Sequence, residues 1–215
     1  MSERYDCADP LDRERGLRAA IGAIGRGSLV VLPTDTVYGI GADAFTPRAV
    51  EMLLAAKGRG RELPVPVLVA SIRMLDGVSD GLSVAARSLV DAFWPGPLTL
   101  VLHHPPHLAW DLGDSRGTVA VRMPLHPVAL ELIADTGPLA VSSANRSGLP
   151  PAGDAATAER QLGGSVDVYL DAGPVSSGLA STIVDLTGSV PRLLRAGALG
   201  ADRIREVVAD LVVEV

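Results

Sequence analysis

Residues 53–69 read LLAAKGRGRELPVPVLV, which is an apolar segment with helical spacing, then three cations, then an apolar segment typical of a strand. The cations Lys57, Arg59 and Arg61 lie close together, although the whole chain carries a formal net charge of −6. Such a cluster suits a solvated loop, a nucleic-acid-binding patch or the wall of a pocket for a small anionic substrate. The surrounding sequence has to decide among these three interpretations.

Helices and strands alternate around this stretch over the first two thirds of the chain. Thr46 and Pro47 are typical of an N-cap and a first helical position. Pro64 and Pro66 place the strand that follows at a sheet edge or at a strand start. Helices are predicted over 12–26, 46–57, 83–94, 126–135, 154–161 and from about Ala201, and strands over 28–33, 64–70, 97–103, 118–123, 138–143, 166–170, 181–186 and 191–196.

This order predicts a single α/β domain with a mixed parallel and antiparallel sheet flanked by helices. Strands follow one another directly near the end of the chain, where a glycine-containing turn at 188–189 predicts a hairpin. We assign residues 12–212 to this domain and residues 1–11 to an N-terminal tail.

The composition favours a soluble globular protein, with 47% hydrophobic and 20% charged residues. Aromatic residues make up only 3%, too few for the stacked platforms that bind single-stranded nucleic acids. A pI near 5.2 speaks against a broad polyanion-binding surface. The only cysteine is Cys7, which excludes an intrachain disulfide. No apolar run could span a bilayer and the charged N-terminus lacks a signal-peptide core, so we expect a cytoplasmic protein.

Two short motifs have little functional support in their context. GIGADA at 39–44 formally matches the dinucleotide fingerprint, but TDTVY separates it from the preceding strand and the expected acidic residue is missing. The histidines of HHPPH at 103–107 have no carboxylate at ligand spacing, which favours a proline-rich surface loop over a metal site. The sequence contains neither a P-loop nor a G-x-S-x-G elbow.

Polar or cationic segments are predicted at the ends of apolar strands at four places: 33–39, 57–64, 142–148 and 195–197. Ligands usually bind at strand ends in α/β sheets, although a hydrogen-bonded turn that merely ends its strand explains 33–39 equally well. Ser143 and Asn145 share a face if the chain is extended there, whereas Arg192 and Arg195 point to opposite faces. Together the segments offer cations, hydroxyls and an amide, a set that suits a nucleoside triphosphate.

Six motifs occur along the chain in this order: PTDTVYGIGADA, KGRGRELPVPVLV, WPGPLTLVL, TVAVRMP, SSANRSG and STIVDL…PRLLRAG. From about residue 12 to residue 212 the chain therefore resembles the Sua5/YrdC family of threonylcarbamoyl-AMP synthases. The resemblance implies a twisted, YrdC-like α/β sheet around a large, positively lined cavity. It also implies a nucleotidyltransferase that combines L-threonine, bicarbonate or CO2 and ATP, with Mg2+ accompanying the ATP, and releases pyrophosphate. The product, threonylcarbamoyl-AMP, serves the N6-threonylcarbamoyladenosine modification of tRNA.

The resemblance also assigns roles to particular residues. Lys57 and Arg59 match the K-x-R motif of the family and are assigned to catalysis and to the ATP phosphates. Gly60 and Pro151 depart from the family pattern, which commonly has proline and serine at these positions. The resemblance also implies further contacts with ATP, namely Arg61, Thr118, Ser143, Asn145 and Arg195. It implies contacts with threonine at Thr34, Arg122 and Ser181.

No general acid or base stands out, so the chemistry is expected to depend on positioning and charge neutralisation. The resemblance further implies the short, single-domain type of the family, no metal held by the protein alone, and downstream tRNA threonylcarbamoyl transferase proteins as partners. Direct tRNA binding is expected to be weak or absent. The alternative from another class is an RNA-binding or regulatory module of a tRNA-modification complex without synthase activity, and a NAD-binding enzyme is a more distant one.

Overall fold

The computed structural model describes residues 2–175 and 178–213, and the strands of this part of the chain form one mixed sheet. Its helices are α1 (Pro10–Gly25), α2 (Pro47–Lys57), α3 (Ile72–Val78), α4 (Val84–Phe93), α5 (Pro127–Thr136), α6 (Ala155–Leu162) and α7 (Ala201–Arg205). Its strands are β1 (Glu3–Asp6), β2 (Val30–Leu32), β3 (Gly39–Asp43), β4 (Val67–Leu68), β5 (Leu98–His103), β6 (Thr118–Arg122), β7 (Leu139–Ser143), β8 (Val168–Asp171), β9 (Thr182–Asp185), β10 (Arg192–Arg195) and β11 (Val212–Val213).

Neighbouring strands of the sheet lie in the order β1-β8-β2-β3-β7-β4-β6-β5-β9-β10-β11. Parallel pairing joins β1 and β2 to β8, β4 to β6, β5 to β9, and β10 to β11. The other neighbours pair antiparallel, including β9 with β10, which is the predicted hairpin. The predicted α/β fold with a mixed sheet flanked by helices is confirmed.

Helices cover the two faces of the sheet unequally. Apolar side chains of α2, α3, α4, α6 and α7 join a larger core cluster on one face. On the other face, α1 and α5 pack in a smaller cluster. Strand β2 serves both clusters, because Val31 belongs to the larger one and its neighbours Val30 and Leu32 to the smaller one. Beside α1 and α5, the second face opens into a cavity over β5, β6 and β9.

The predicted N-terminal tail is wrong for residues 3–6, which form the edge strand β1 in parallel pairing with β8. This strand is polar and mostly exposed, so its sequence lacks the apolar alternation that identifies a half-buried strand. A close contact with α1 adds to the pairing, since a Cβ at Gly16 would lie 2.6 Å from the Cβ of Tyr5.

Of the two places predicted for the strand after Pro64 and Pro66, the strand start is confirmed, because β4 begins directly after Pro66 and lies between β7 and β6 in the interior of the sheet. The GIGADA segment forms strand β3, which the sequence analysis did not predict, and does not open a helix as a dinucleotide fingerprint would. A Cβ at Gly39 would lie 2.6 Å from Val141 Cγ1, so this glycine permits the close approach of β3 to β7.

Candidate functional site

A cavity of about 710 Å3 occupies the sheet face beside α1 and α5. Side chains that alternate along neighbouring strands form its floor: Thr99 and Val101 of β5, Ala120 and Arg122 of β6, and Ile183 of β9. The intervening residues, such as Leu100 and Val121, belong to the larger core cluster on the opposite face. Strand periodicity therefore separates the core from the cavity.

Each of the four predicted polar segments contributes residues to the cavity lining. One of them differs in its setting, because 57–64 follows helix α2 rather than a strand and leads into β4. Gly58 ends this helix in the left-handed conformation, with φ of 62°, which glycine adopts without steric cost. Lys57 thus remains in the last helical turn and Arg59 lies in the loop, and both side chains line the cavity.

Lys57 is almost fully buried, and its ammonium binds the loop that follows β7. Its Nζ donates to the carbonyl oxygen of Ser143, to the carbonyl oxygen of Asn145 at 2.7 Å and to Oδ1 of Asn145 at 3.5 Å. A lysine ammonium has three N–H donors, so this set of oxygens occupies all of them. Lys57 therefore contacts two other predicted ATP contacts, Ser143 and Asn145, through backbone oxygens as well as the Asn145 side chain.

Arg59 lies over the same edge of the sheet. Its Nη1 donates to Ser142 Oγ at 3.2 Å and its Nη2 to the carbonyl oxygen of Leu63 at 2.7 Å. Its Nε is buried and has no hydrogen-bond partner in the described part of the chain. A buried donor without a partner costs free energy.

Arg195 and Ser181 form a second polar group at the ends of β9 and β10. Arg195 donates through Nε to the Ser181 carbonyl oxygen at 2.9 Å and through Nη2 to Ser181 Oγ at 3.0 Å. The Ser181 hydroxyl also lies 2.7 Å from Thr99 Oγ1. A register shift between Leu193 and Arg195 interrupts the pairing with β9, and both Leu194 and Arg195 line the cavity.

The predicted threonine contacts Thr34 and Arg122 also line the cavity. Thr34 Oγ1 donates to the Val37 carbonyl oxygen at 2.7 Å and accepts from the Thr36 amide at 3.2 Å, which fixes the turn after β2. Arg122 is buried, and its Nη1 donates to Thr36 Oγ1 at 2.8 Å. These hydroxyls and the guanidinium form one connected network at the end of β6.

Two predicted ATP contacts lie outside the cavity lining. Arg61 is exposed and its Nη2 donates to Asp111 Oδ1 at 2.6 Å, with Asp114 3.9 Å from its Nε. This ion pair holds 57–64 against the loop between β5 and β6. Thr118 shares a face of β6 with Ala120 and Arg122, but it lies at the far end of the strand and its hydroxyl donates to the Ser115 carbonyl oxygen at 2.7 Å.

Among the cavity residues that the sequence analysis did not assign to the site are Thr36, Thr99 and Ser142. Thr36 and Ser142 lie in segments that had been singled out, and each accepts a hydrogen bond from a predicted arginine. Thr99 interrupts the otherwise apolar strand LTLVLH, and this signal alone could have indicated it. Pro151, at a position where the family commonly has serine, also lines the cavity and presents a ring in place of a hydroxyl.

The cavity is strongly cationic, because Lys57, Arg59, Arg122 and Arg195 line it and none of its described lining residues carries a carboxylate. Burial lowers the pKa of all four side chains, since the charged form is less stable away from water. The positive charge of Arg59 further lowers the pKa of Lys57 and of Arg195. An anion among these groups relieves the repulsion, so the cavity suits a multiply charged anionic ligand.

We expect the affinity of the cavity for a nonhydrolysable ATP analogue to fall as the pH rises above about 8. Burial, together with the charge of Arg59, lowers the pKa of Lys57 to about 8, so the free protein loses this positive charge above that pH. Since the phosphates favour the protonated form, Kd should rise by up to about tenfold per pH unit beyond that point. Titration calorimetry between about pH 7 and about pH 9.5 tests this, with Lys57→Met as a pH-independent control. A constant wild-type Kd would contradict it.

The cation-lined cavity lies on a face of the mixed sheet that α1 and α5 cover only in part. These two features define an α/β domain suited to bind an anion. The family model Sua5/YciO/YrdC, described as Telomere recombination, matches residues 22–197. The chain therefore belongs to the Sua5/YrdC family, as its motifs indicated.

Similar proteins extend over nearly the whole chain. A Mycobacterium tuberculosis protein, provisionally named a threonylcarbamoyl-AMP synthase, is 59% identical over 208 residues, which are 97% of this chain and 96% of that protein. The threonylcarbamoyl-AMP synthase of Pyrococcus abyssi is 39% identical over 196 residues, with 91% of this chain and 58% of the relative covered. The crystal structure of P. abyssi Sua5 complexed with L-threonine superposes with a TM-score of 0.92 and 35% identity, covering all of this chain and 62% of that chain.

Proposed function

We propose that this protein is an L-threonylcarbamoyladenylate synthase, a nucleotidyltransferase that makes threonylcarbamoyl-AMP and pyrophosphate from L-threonine, bicarbonate or CO2 and ATP. The observation that carries the proposal is that four cations and several hydroxyls meet in one cavity, while none of its described lining residues carries a carboxylate. ATP and L-threonine each present an anionic group for the protein to bind: the phosphates of ATP and the carboxylate of threonine. The names of the relatives support the same reaction.

The proposed chemistry needs no covalent bond to the protein. The deprotonated threonine amine attacks CO2 to form an N-carboxylate, and an oxygen of this carbamate then attacks the α-phosphorus of ATP. The bond from that phosphorus to the bridging oxygen breaks, and pyrophosphate leaves with the electron pair. The chain contributes positioning and positive charge, which stabilise the additional negative charge of the transition state.

The four cations lie at three places around the cavity, and they fit the two anions. Lys57 and Arg59 lie at the edge formed by α2 and β7, where Arg59 would bind the phosphates and Lys57 would add a neighbouring positive charge. Arg122 lies with Thr34 and Thr36 at the end of β6, where its guanidinium would hold the threonine carboxylate as a fork. Arg195 and Ser181 lie at the ends of β9 and β10, and they would contact ATP and threonine, respectively.

We propose that Mg2+ enters bound to ATP, as part of the substrate. The lining residues offer hydroxyl, amide and backbone oxygens but no carboxylate, and no cluster of three or more metal-binding side chains occurs among the described residues. These oxygen donors do not fit a metal ion held by the protein alone.

Pyrophosphate release tests the proposed function. We expect release to require ATP, L-threonine and bicarbonate together, and to fall to the background rate when any one is omitted. The nucleotide product should contain the carbon of labelled bicarbonate. Release without threonine would contradict the proposal. Salt-sensitive tRNA binding without any pyrophosphate release would support the RNA-binding module instead.

The proposed product is a mixed anhydride that hydrolyses readily, so a tRNA threonylcarbamoyl transferase protein has to accept it soon after release. We propose that direct binding of tRNA to this chain is weak or absent, because its formal net charge is −6 and only 3% of its residues are aromatic. The proposed location is the cytoplasm, where ATP and tRNA are available. None of the helices in residues 2–175 and 178–213 has the length and hydropathy of a membrane span.

A further inference from the structure

We propose that Asp35 is a positioning residue for the amino-acid substrate, because it holds the guanidinium of Arg122 in the orientation that receives the threonine carboxylate. Asp35 itself would not touch the substrate. The inference rests on the proposed function, since it takes L-threonine as the ligand of Arg122, and it adds a residue to which no role has been assigned.

Arg122 is held from three directions. Its Nε donates to the Gly96 carbonyl oxygen at 2.9 Å, its Nη1 to Thr36 Oγ1 at 2.8 Å, and its Nη2 to Asp35 Oδ1. A guanidinium has five N–H donors, so one N–H remains on each of the two terminal nitrogens. Two remaining donors on adjacent nitrogens are the pair that a carboxylate accepts as a fork.

Asp35 contacts this guanidinium without belonging to the cavity lining. Thr34 and Thr36 line the cavity, whereas Asp35 between them does not. Its Oδ1 also accepts the backbone N–H of Leu125 at 2.9 Å. One carboxylate thus joins the turn after β2, the end of β6 and the segment before α5.

The charge of Asp35 also keeps Arg122 stable in its buried position. Arg122 is 6% exposed, and burial lowers its pKa while the neighbouring charge of Asp35 opposes this change. A buried guanidinium that loses the counter-charge beside it recovers solvation by turning towards water. The cavity is where it can do so, and this movement would misalign the two N–H groups that face the substrate.

L-Threonine binding by titration calorimetry tests the inference, with KM values from pyrophosphate release beside it. For Asp35→Ala we expect the Kd and KM for threonine to rise at least about tenfold, with the KM for ATP within about threefold of wild type. Asp35→Asn keeps the acceptor oxygen and loses only the charge, so we expect a smaller rise of about threefold or more. This variant decides the question if the alanine variant does not fold.

Asp185→Asn is the control, because the Asp185 side chain is 8% exposed against 13% for Asp35, and it accepts a hydrogen bond from Arg192 Nη2 at 2.7 Å outside the cavity lining. We expect its threonine Kd to equal that of the wild type. A general loss of packing would instead raise the KM values for threonine and ATP together in either variant.

A double-mutant cycle shows whether Asp35 acts through Arg122. On an Arg122→Ala background, Asp35→Ala should cause no further loss of threonine affinity. A full additional loss would overturn the inference, and so would an Asp35 variant that binds threonine within about twofold of wild type. Wild-type protein that neither binds threonine nor releases pyrophosphate would overturn the proposed function first and this inference with it.

Discussion

Replacement of Lys57 by methionine should lower kcat/KM for ATP by at least about 100-fold, which corresponds to about 2.7 kcal/mol of transition-state stabilisation. The ammonium of Lys57 donates to two oxygens of Asn145 and one of Ser143, and charge-assisted hydrogen bonds contribute about 1.5–3 kcal/mol each. Methionine keeps most of the buried aliphatic stem and removes the charge. The loop 143–145 would then lose its link to α2, and the phosphates would lose a neighbouring cation.

Initial rates of pyrophosphate release over a range of ATP concentrations measure this loss. Circular dichroism and the thermal midpoint provide the control for folding, and Lys57→Ala should change the rate in the same direction by more than about tenfold. If kcat/KM of a folded methionine variant stays within about threefold of the wild type, Lys57 has no part in the reaction.

Replacement of Arg59 by alanine should raise the KM for ATP by at least about 30-fold, whereas replacement of Arg61 should change it by less than about threefold. These two arginines form a matched pair two positions apart. Arg59 lines the cavity, so its guanidinium charge would act directly on the phosphates. Arg61 is exposed and pairs with Asp111, and ion pairs of this kind contribute little.

The comparison is made with both variants in one preparation series, and the threonine KM is recorded beside that for ATP. Arg59→Ala should leave the threonine KM within about threefold of the wild type, because Arg122 holds that substrate in the proposed site. Equal losses in the two variants would contradict the distinction between a cavity arginine and a loop arginine. A larger loss in Arg61→Ala would return Arg61 to the ATP site implied by the family resemblance.

The strands with apolar character, such as 97–103 and 118–123, were predictable from the sequence because their alternation is visible within the segment itself. Strand β1 was not, since its place depends on a partner strand far along the chain. The site shows the same division. Segment 57–64 was recognisable by its charge. Which of its arginines lines the cavity depends on the turn that begins at Gly58, after which Arg59 lines the cavity and Arg61 pairs with Asp111.

Strand periodicity has a further limit at Thr118. It gives the face on which a side chain lies, and Thr118 does share that face with Arg122, but it does not give the length of the cavity along the strand. In the same way, the hydroxyl-rich turn PTDTVYG pointed to a ligand site, whereas the partner of Asp35 became apparent only when β6 and the turn were brought together.

The buried ammonium of Lys57 also has a practical consequence, because the sequence contains no second lysine. Lysine labelled with 15N at Nζ would place the label at this side chain alone and would keep its three N–H donors. In the free protein the single Nζ resonance would report the titration of Lys57, whose pKa burial lowers to about 8. Its chemical shift would then follow the filling of the cavity by nucleotide, so this chain carries a single-site spectroscopic reporter at the centre of its own pocket.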